Sequence, residues 1–235
     1  MGKPDIIYED NDIIVCYKPA GIATQTRRIG QQDMESFIRN YRAAKNEPPY
    51  VGIVHRLDQP VEGVMVFAKN QKAAASLSRQ IKEHTTEKYY RAASRGHGVS
   101  GADKKEDNHD PAWHTLTDYI SFDKRTNTSK ITSEKDRLAK KAVLQYRILS
   151  NECNKTEFDI KLLTGRHHQI RLQLANIGYP LIGDTKYGKP ASNNSGTGNV
   201  AGRTGSCVRE QLALCSYKLV FDHPATGERM TFELP

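Results

Sequence analysis
Apolar and polar positions alternate in short runs along most of the chain, and clusters of turn-forming residues separate the runs. Residues 5–19, "DIIYEDNDIIVCYKP", set two apolar segments around a polar "EDND", which predicts a β-hairpin. "QQDMESFIRNYRAA" carries Met34, Phe37, Ile38 and Tyr41 at helical spacing. "VGIVHR" and "GVMVFAK" are β-rich runs on either side of a turn that contains Asp58. "NQKAAASLSRQIKEH" predicts a helix capped by Asn70, with Ala74, Leu77 and Ile81 on one face and Lys82 and His84 near its end. "KYYRAAS" reads as a strand. Residues 95–113 are polar and Gly-rich and read as an exposed loop.

Further on, "AKKAVLQYRILSNE" and "KTEFDIKLLT" predict paired strands. In the second, Phe158, Ile160 and Leu162 alternate with Glu157, Asp159 and Lys161, so one face is expected to be buried. "GRHHQIRLQLANIG" reads as a turn and then a helix, closed by Gly178 with Pro180 beyond it. Residues 188–206 form a second loop of low hydrophobicity. The chain ends in a hairpin, "LALCSYKLVFD" and "RMTFELP" around "HPATGE". Residues 114–138 receive no element. Strands outnumber helices and are mostly hairpin-linked. The expected class is α+β, with a mixed, largely antiparallel sheet flanked by helices and loops. No break in composition divides the chain, so one domain over residues 1–235 is expected.

Composition narrows the function classes. Of 235 residues, 37% are hydrophobic and 26% charged, a soluble globular balance rather than a disordered one. No apolar run approaches the roughly 20 residues of a membrane helix, so no membrane partner is expected. The start, "MGKPDIIYED", has no secretory apolar stretch, and Ile6 stands where a myristoylation signal needs Ser or Thr. A cytoplasmic location is the expectation. Lys and Arg number 35 against 27 Asp and Glu, a net charge of +8. That excess suits a polyanion such as nucleic acid, or simply a basic surface. Cys16, Cys153, Cys207 and Cys215 show no CxxC pair and no metal spacing, consistent with reduced thiols.

Several familiar sites are excluded. The Gly-rich stretch 196–205 lacks phosphate-loop spacing and its Lys-Ser/Thr ending. His97, His109 and His114, read in one loop, match no zinc signature. His167 and His168, as neighbours on a helix, would point apart and not share a metal. No Gly-x-Ser-x-Gly elbow suggests serine hydrolysis. Three stretches remain: "HRLDQPVEGVMVFAK" (55–69), "EKYYRA" (87–92) and "LLTGRHHQIRLQLANIGYPLIGDTKYG" (162–188). Taken singly, Asp58 before Gln-Pro could make a side-chain turn, Tyr90 could fill a core, and Arg171 could face solvent.

Together the three stretches resemble the RluA-type RNA pseudouridine synthases. The first family pattern is met by His55, Arg56, Leu57, Asp58, Gly63 and Ala68, and the second by Lys88, Tyr90 and Ala92. The third is met by Thr164, Gly165, Arg166, His168, Gln169, Ile170, Arg171, Gly178, Pro180, Gly183, Asp184 and Tyr187. The opening "EDNDIIVCYKPAGI" and the closing "HPATGERMTF" also resemble the family, so the likeness spans nearly the whole chain in order. Two positions depart: Val61-Glu62 replaces a common Thr-Ser, and Cys215 stands where many members have His.

The resemblance implies isomerisation of specific uridines in rRNA or tRNA, with no cofactor and no metal. It implies Asp58 as the catalytic carboxylate, either adding covalently to the uracil or C1′ or taking the C2′ proton. Arg171 would pair with Asp58 and keep it ionised. Tyr90 would stack on the uracil and aid loss of the C5 proton. Arg56, His55, Arg166, His168 and Gln169 would bind substrate. The target base must be flipped out of the RNA, with Arg56 helping to hold that state. The two long loops could close on RNA or be plain insertions. Some members carry an N-terminal S4-type RNA-binding domain, and none is expected here. A monomer would suffice. The competing expectation is an RNA-binding or RNA-remodelling protein on the same fold with chemistry reduced or lost. An RNA hydrolase has little support without a metal-binding carboxylate cluster.

Overall fold
A computed structural model describes residues 4–26, 28, 30–95, 110–152, 155–188 and 210–235. The chain begins with the expected hairpin, β1 (Asp5–Glu9) against β2 (Ile13–Lys18). Asp10 closes the turn by accepting the N–H groups of Asp12 and Ile13, both at 2.8 Å. Helix α1 (Met34–Ala44) starts at a capping box of Asp33 and Ser36, which satisfies its first free N–H groups. Then follow β3 (Gly52–Ile53), β4 (Glu62–Ala68), α2 (Gln71–Lys82), capped by Asn70 as expected, and β5 (Glu87–Ser94).

Two elements depart from expectation. Strand β6 (Asp110–Asp123) begins inside the segment read as a loop, and it forms a hairpin with β7 (Thr128–Thr132) where no element was assigned. His114 therefore lies on a strand. His97 and His109, the centre of the first loop and nearly all of the second lie outside the described residues. The rest follows the pattern: β8 (Lys140–Glu152) pairs with β9 (Lys155–Leu162), α3 (Gln169–Asn176) follows, and β10 (Leu214–Asp222) pairs with β11 (Arg229–Glu233).

The eleven described strands join one sheet, in the order β1-β2-β4-β10-β5-β9-β8-β6-β7, with β3 on β4 and β11 on β10. Among the described strands only the β4–β10 pairing is parallel, Glu62 and Gly63 against Cys215 and Ser216. Gly63 makes that crossing possible: a Cβ there would lie 2.2 Å from the Ser216 carbonyl oxygen, and its φ is +135°.

The apolar runs of β2 and β4 are continuous because both faces of these strands are covered. Ile14, Cys16, Met65 and Phe67 enter a core with α1 and α3, while Ile13, Val15, Val64 and Val66 enter a second core with α2. Strand β9 buries Phe158 and Ile160 completely. On its other face Asp159 is also buried, against the alternation rule, because Arg147 (2.8 Å) and the Tyr217 hydroxyl (3.0 Å) both donate to it. Among the described residues no helix is long and apolar enough to cross a membrane.

Candidate active site
Asp58 sits between β3 and β4 in a turn whose backbone is clamped on both sides. The Asp58 carbonyl accepts the Val61 N–H at 3.0 Å. Before it, Thr24 grips Leu57 twice: the hydroxyl donates to the Leu57 carbonyl (2.9 Å) and accepts its N–H (3.1 Å). After it, the Gln59 carbonyl accepts from the Gly21 N–H (2.8 Å) and from Lys18 Nζ (3.2 Å). Lys18 is fully buried and also donates to the carbonyls of Pro19 and Ile22. Burial pulls its ammonium down to about 8, although Asp58 and Glu62 oppose the shift. Asp58 is thus a turn residue through its backbone, which leaves the carboxylate, 29% exposed, to face the cleft.

Arg171 is the buried cation beside it, only 4% exposed. Its fork is not spent on Asp58. Nε and Nη2 donate to the two oxygens of Asp184, both at 2.8 Å, and Nη1 reaches Asp58 at 3.4 Å. Asp184 lies in the turn after α3 and also accepts the N–H groups of Lys186 and Tyr187. Its carboxyl stays below the usual range: burial opposes this, but Arg171 and the two amides outweigh it. The expected Asp58–Arg171 pair is therefore a triad in which Asp184 aims the guanidinium.

His168 approaches Asp58 from another side. It is the N-cap of α3 in left-handed backbone geometry (φ 55°), with Nε2 3.5 Å from the Asp58 carboxylate and Nδ1 2.9 Å from the Tyr187 hydroxyl. Burial, with help from Arg171, holds its pKa down at about 3, so the ring is neutral. One nitrogen then carries the proton. The Tyr187 oxygen already accepts the Ser129 N–H at 2.8 Å, so its own proton is free for Nδ1. Placing the histidine proton on Nε2 satisfies Nδ1 and turns a donor, not a lone pair, toward Asp58. His167 and His168 are not neighbours along a helix: both lie in the turn before α3, with ring centroids 3.7 Å apart.

These groups open onto a cleft of about 1030 Å³. Six Lys or Arg side chains line it, and Asp58 is the single acid among the described lining residues. Arg56 and Arg28 are exposed, and Arg166 is half-buried with Nε donating to the Lys141 carbonyl at 2.8 Å. Lys88 lies deeper, its pKa lowered by burial. Tyr90 is 6% exposed and lines the same cleft. Burial pushes its phenol well above the usual range, against a hydrogen bond to Ser216.

Two expected substrate contacts line the cleft and are also tied to its backbone or to neighbouring side chains. His55 Nε2 accepts the Val66 N–H at 3.1 Å, and burial holds the ring neutral with a pKa of about 3. Gln169 is 3% exposed; its Oε1 accepts from the Thr164 hydroxyl and the Arg166 N–H, and its Nε2 donates to Gln173. It braces the Thr-Gly-Arg turn. Val61 packs into the core, and Glu62 accepts from the Tyr17 hydroxyl (2.9 Å) and Gln211 (3.1 Å). Cys215 is half-buried, its thiol pushed up to about 12 by burial and then by Glu62. Asp10, Asp12 and His223 bring three potential metal ligands together, but they are bonded into the β1–β2 turn and none lines the cleft.

Asp58, Arg171 with its partner Asp184, His168 and Tyr90 thus meet at one cationic cleft of a mixed sheet. A model of the family described as RNA pseudouridylate synthase matches residues 12–176, and the chain belongs to that family. The chain is 30% identical over 240 residues to a ribosomal large subunit pseudouridine synthase D of Neisseria meningitidis serogroup B, covering 98% of this chain and 58% of the relative. It is 34% identical over 243 residues to an uncharacterized RNA pseudouridine synthase of Aquifex aeolicus, covering 98% and 68%. The chain thus spans little more than half the length of the Neisseria relative. Among solved structures, the human RNA pseudouridylate synthase domain containing 4 shares the fold, with a TM-score of 0.72 at 20% identity over 98% of this chain and 88% of that one.

Proposed function
We propose that this chain isomerises uridine to pseudouridine within structured RNA, rRNA or tRNA, and that Asp58 is the catalytic carboxylate. The observation that carries the proposal is the lone acid of a cationic cleft, fixed by its backbone and left open at its carboxylate. The reaction breaks the C1′–N1 bond and forms C1′–C5; C5 loses a proton and N1 gains one. Nothing is oxidised, so the work falls to groups that hold charge and move protons at the sugar–base junction.

Arg171, aimed by Asp184, and the His168 Nε2–H stabilise negative charge on Asp58 from two directions. Both contacts, 3.4 and 3.5 Å, are long, which leaves the carboxylate free to approach the sugar–base junction. Tyr90 offers the uracil a flat ring. Since burial keeps its phenol protonated, the C5 proton goes to the Asp58 carboxylate once that group is free again, either directly or through the phenol, which gives up its own proton as it takes the one from C5. Arg56 and Arg166 meet phosphates flanking a flipped base. His55 and Gln169 serve as scaffold, and His168 positions the carboxylate. One chain supplies every group named, so a monomer suffices, and an RNA substrate suits the cytoplasm.

The test is tritium release from 5-tritiated uridine in bulk RNA incubated with the purified protein. Release together with pseudouridine in the digested product is expected. RNA binding without release would favour the alternative, an RNA-binding protein that has lost the chemistry.

A further inference from the structure
The cleft holds an aromatic column whose outer two rings, Phe122 and His167, have no part in the proposed isomerisation. Phe122 stands near the end of β6 at the cleft rim, 40% exposed. Its ring lies 4.2 Å from that of His167, which lies 3.7 Å from that of His168, which in turn contacts Asp58 at 3.5 Å. The column therefore runs from solvent to the carboxylate in successive short steps. A phenyl ring has no polar handle, so its open face gains only when something flat and apolar covers it.

The column is also held in place. Ser129, paired with Phe122 across the β6–β7 hairpin, donates its hydroxyl to the His167 carbonyl (2.9 Å) and its N–H to Tyr187. Lys186 Nζ donates to the Asn127 carbonyl (2.6 Å) at the hairpin turn. Lys124 and Arg125, both exposed, follow Phe122 in the hairpin turn, and Arg56, Arg28 and Arg166 share the cleft. A rigid exposed ring among cations suits a base of an anionic strand: stacking works with any base, while phosphates meet the cations.

We propose that Phe122 and His167 form a stacking subsite for an RNA nucleotide next to the target uridine, so that the β6–β7 hairpin, outside every motif that marks the family, takes part in substrate recognition. This rests on the uridine-isomerising reading of the Asp58 cleft and adds to it a site for a flanking base.

The experiment measures equilibrium binding of purified protein to bulk ribosomal RNA over a range of salt, with tritium release assayed on the same samples. Phe122→Ala is expected to weaken binding roughly 5- to 100-fold at every salt concentration, the effect of removing one aromatic stacking platform. The slope of affinity against salt should stay the same, because no phosphate contact is lost. Phe122→Trp, in a Trp113→Phe background, should restore affinity and show fluorescence quenching on binding, the signature of a stacked indole. Wild-type affinity in Phe122→Ala, or an unquenched indole, overturns the subsite even if the protein turns over uridine. Phe122-dependent binding without turnover by wild type would keep the subsite and count against the proposed reaction.

Discussion
Asp184→Asn separates the aiming of Arg171 from its presence. Asp184 is completely buried at its side chain and Arg171 nearly so, and two 2.8 Å charge-assisted bonds join them. The asparagine keeps the shape and can still accept the backbone N–H groups of Lys186 and Tyr187. Its NH2, standing in for Oδ2, then faces the Arg171 Nε–H, donor against donor; the buried cation keeps the Nη2 bond to the amide oxygen and the 3.4 Å contact to Asp58 but loses its neutralising charge. Breaking a buried pair by removing one partner costs about 3–5 kcal/mol. For a domain of this length that is a fall in melting temperature of roughly 6–20 °C. Urea titration reads the loss as a lower midpoint at constant slope. Adding Arg171→Met removes the stranded charge, so the double variant should regain about 2 kcal/mol or more over the sum of the single losses. Tritium release should be lost in the double variant, because the guanidinium beside Asp58 is then gone and only the neutral His168 ring faces it. A midpoint for Asp184→Asn within about 0.5 kcal/mol of wild type, or strictly additive losses, would refute the coupling.

Other consequences are as direct. Stability should fall as pH drops from 7 to 5: His55 and His168 titrate near 3 in the fold against 6.5 when unfolded, so the unfolded chain binds more protons in this window. The cost is at most about 2 kcal/mol for each ring at pH 5. Glu9 and Glu87, held near 2, give up stability only below about 4.5, so a urea midpoint that stays flat from pH 7 to 5 contradicts the two buried neutral rings. Lys18→Met strands three carbonyls, Pro19, Ile22 and Gln59, and should cost about 2–4 kcal/mol. Its turnover should fall further than stability alone explains, since the Gln59 contact holds the Asp58 turn; normal turnover in folded protein would count against that clamp. RNA affinity should drop steeply with salt, and Arg56→Ala and Arg166→Ala should each lower the slope by about one, as loss of one phosphate contact does. An unchanged slope would place those side chains away from phosphate.

Much of the fold is legible in the chain because its strands follow two simple patterns: alternation in β9, and unbroken apolar runs in β2 and β4. The β6–β7 hairpin is not legible, since "WHTLTDYISFD" mixes polar and aromatic residues on both faces of a long edge-side strand. The three motifs bring Asp58, Tyr90 and Arg171 to one cleft, yet their partners are hidden. Helix α3 is buried nearly all round, so no polar face marks Arg171 as a buried cation. Asp184 belongs to the same motif as Arg171, but only the folded turn shows which carboxylate takes the fork. His55 and Gln169 look like ligands because they are polar motif residues. Both line the cleft, and each also braces the backbone beside the site, His55 through the Val66 N–H and Gln169 through the Arg166 N–H. The roles of Lys18 and Thr24 are not legible, as nothing local distinguishes a lysine that will be wholly buried from one that meets solvent. "YKPAG" at the end of β2 is the one local signal.

The central claim is that one carboxylate performs the isomerisation, and Asp58→Ala tests it most directly. With 29% of that side chain exposed and its turn held by backbone contacts through Leu57 and Gln59, the variant should fold and bind RNA. The measurement is tritium release from 5-tritiated uridine in RNA, beside binding of the same RNA. Wild type is expected to release tritium; Asp58→Ala is expected to bind and release none. Release by the variant at the wild-type rate would contradict the account.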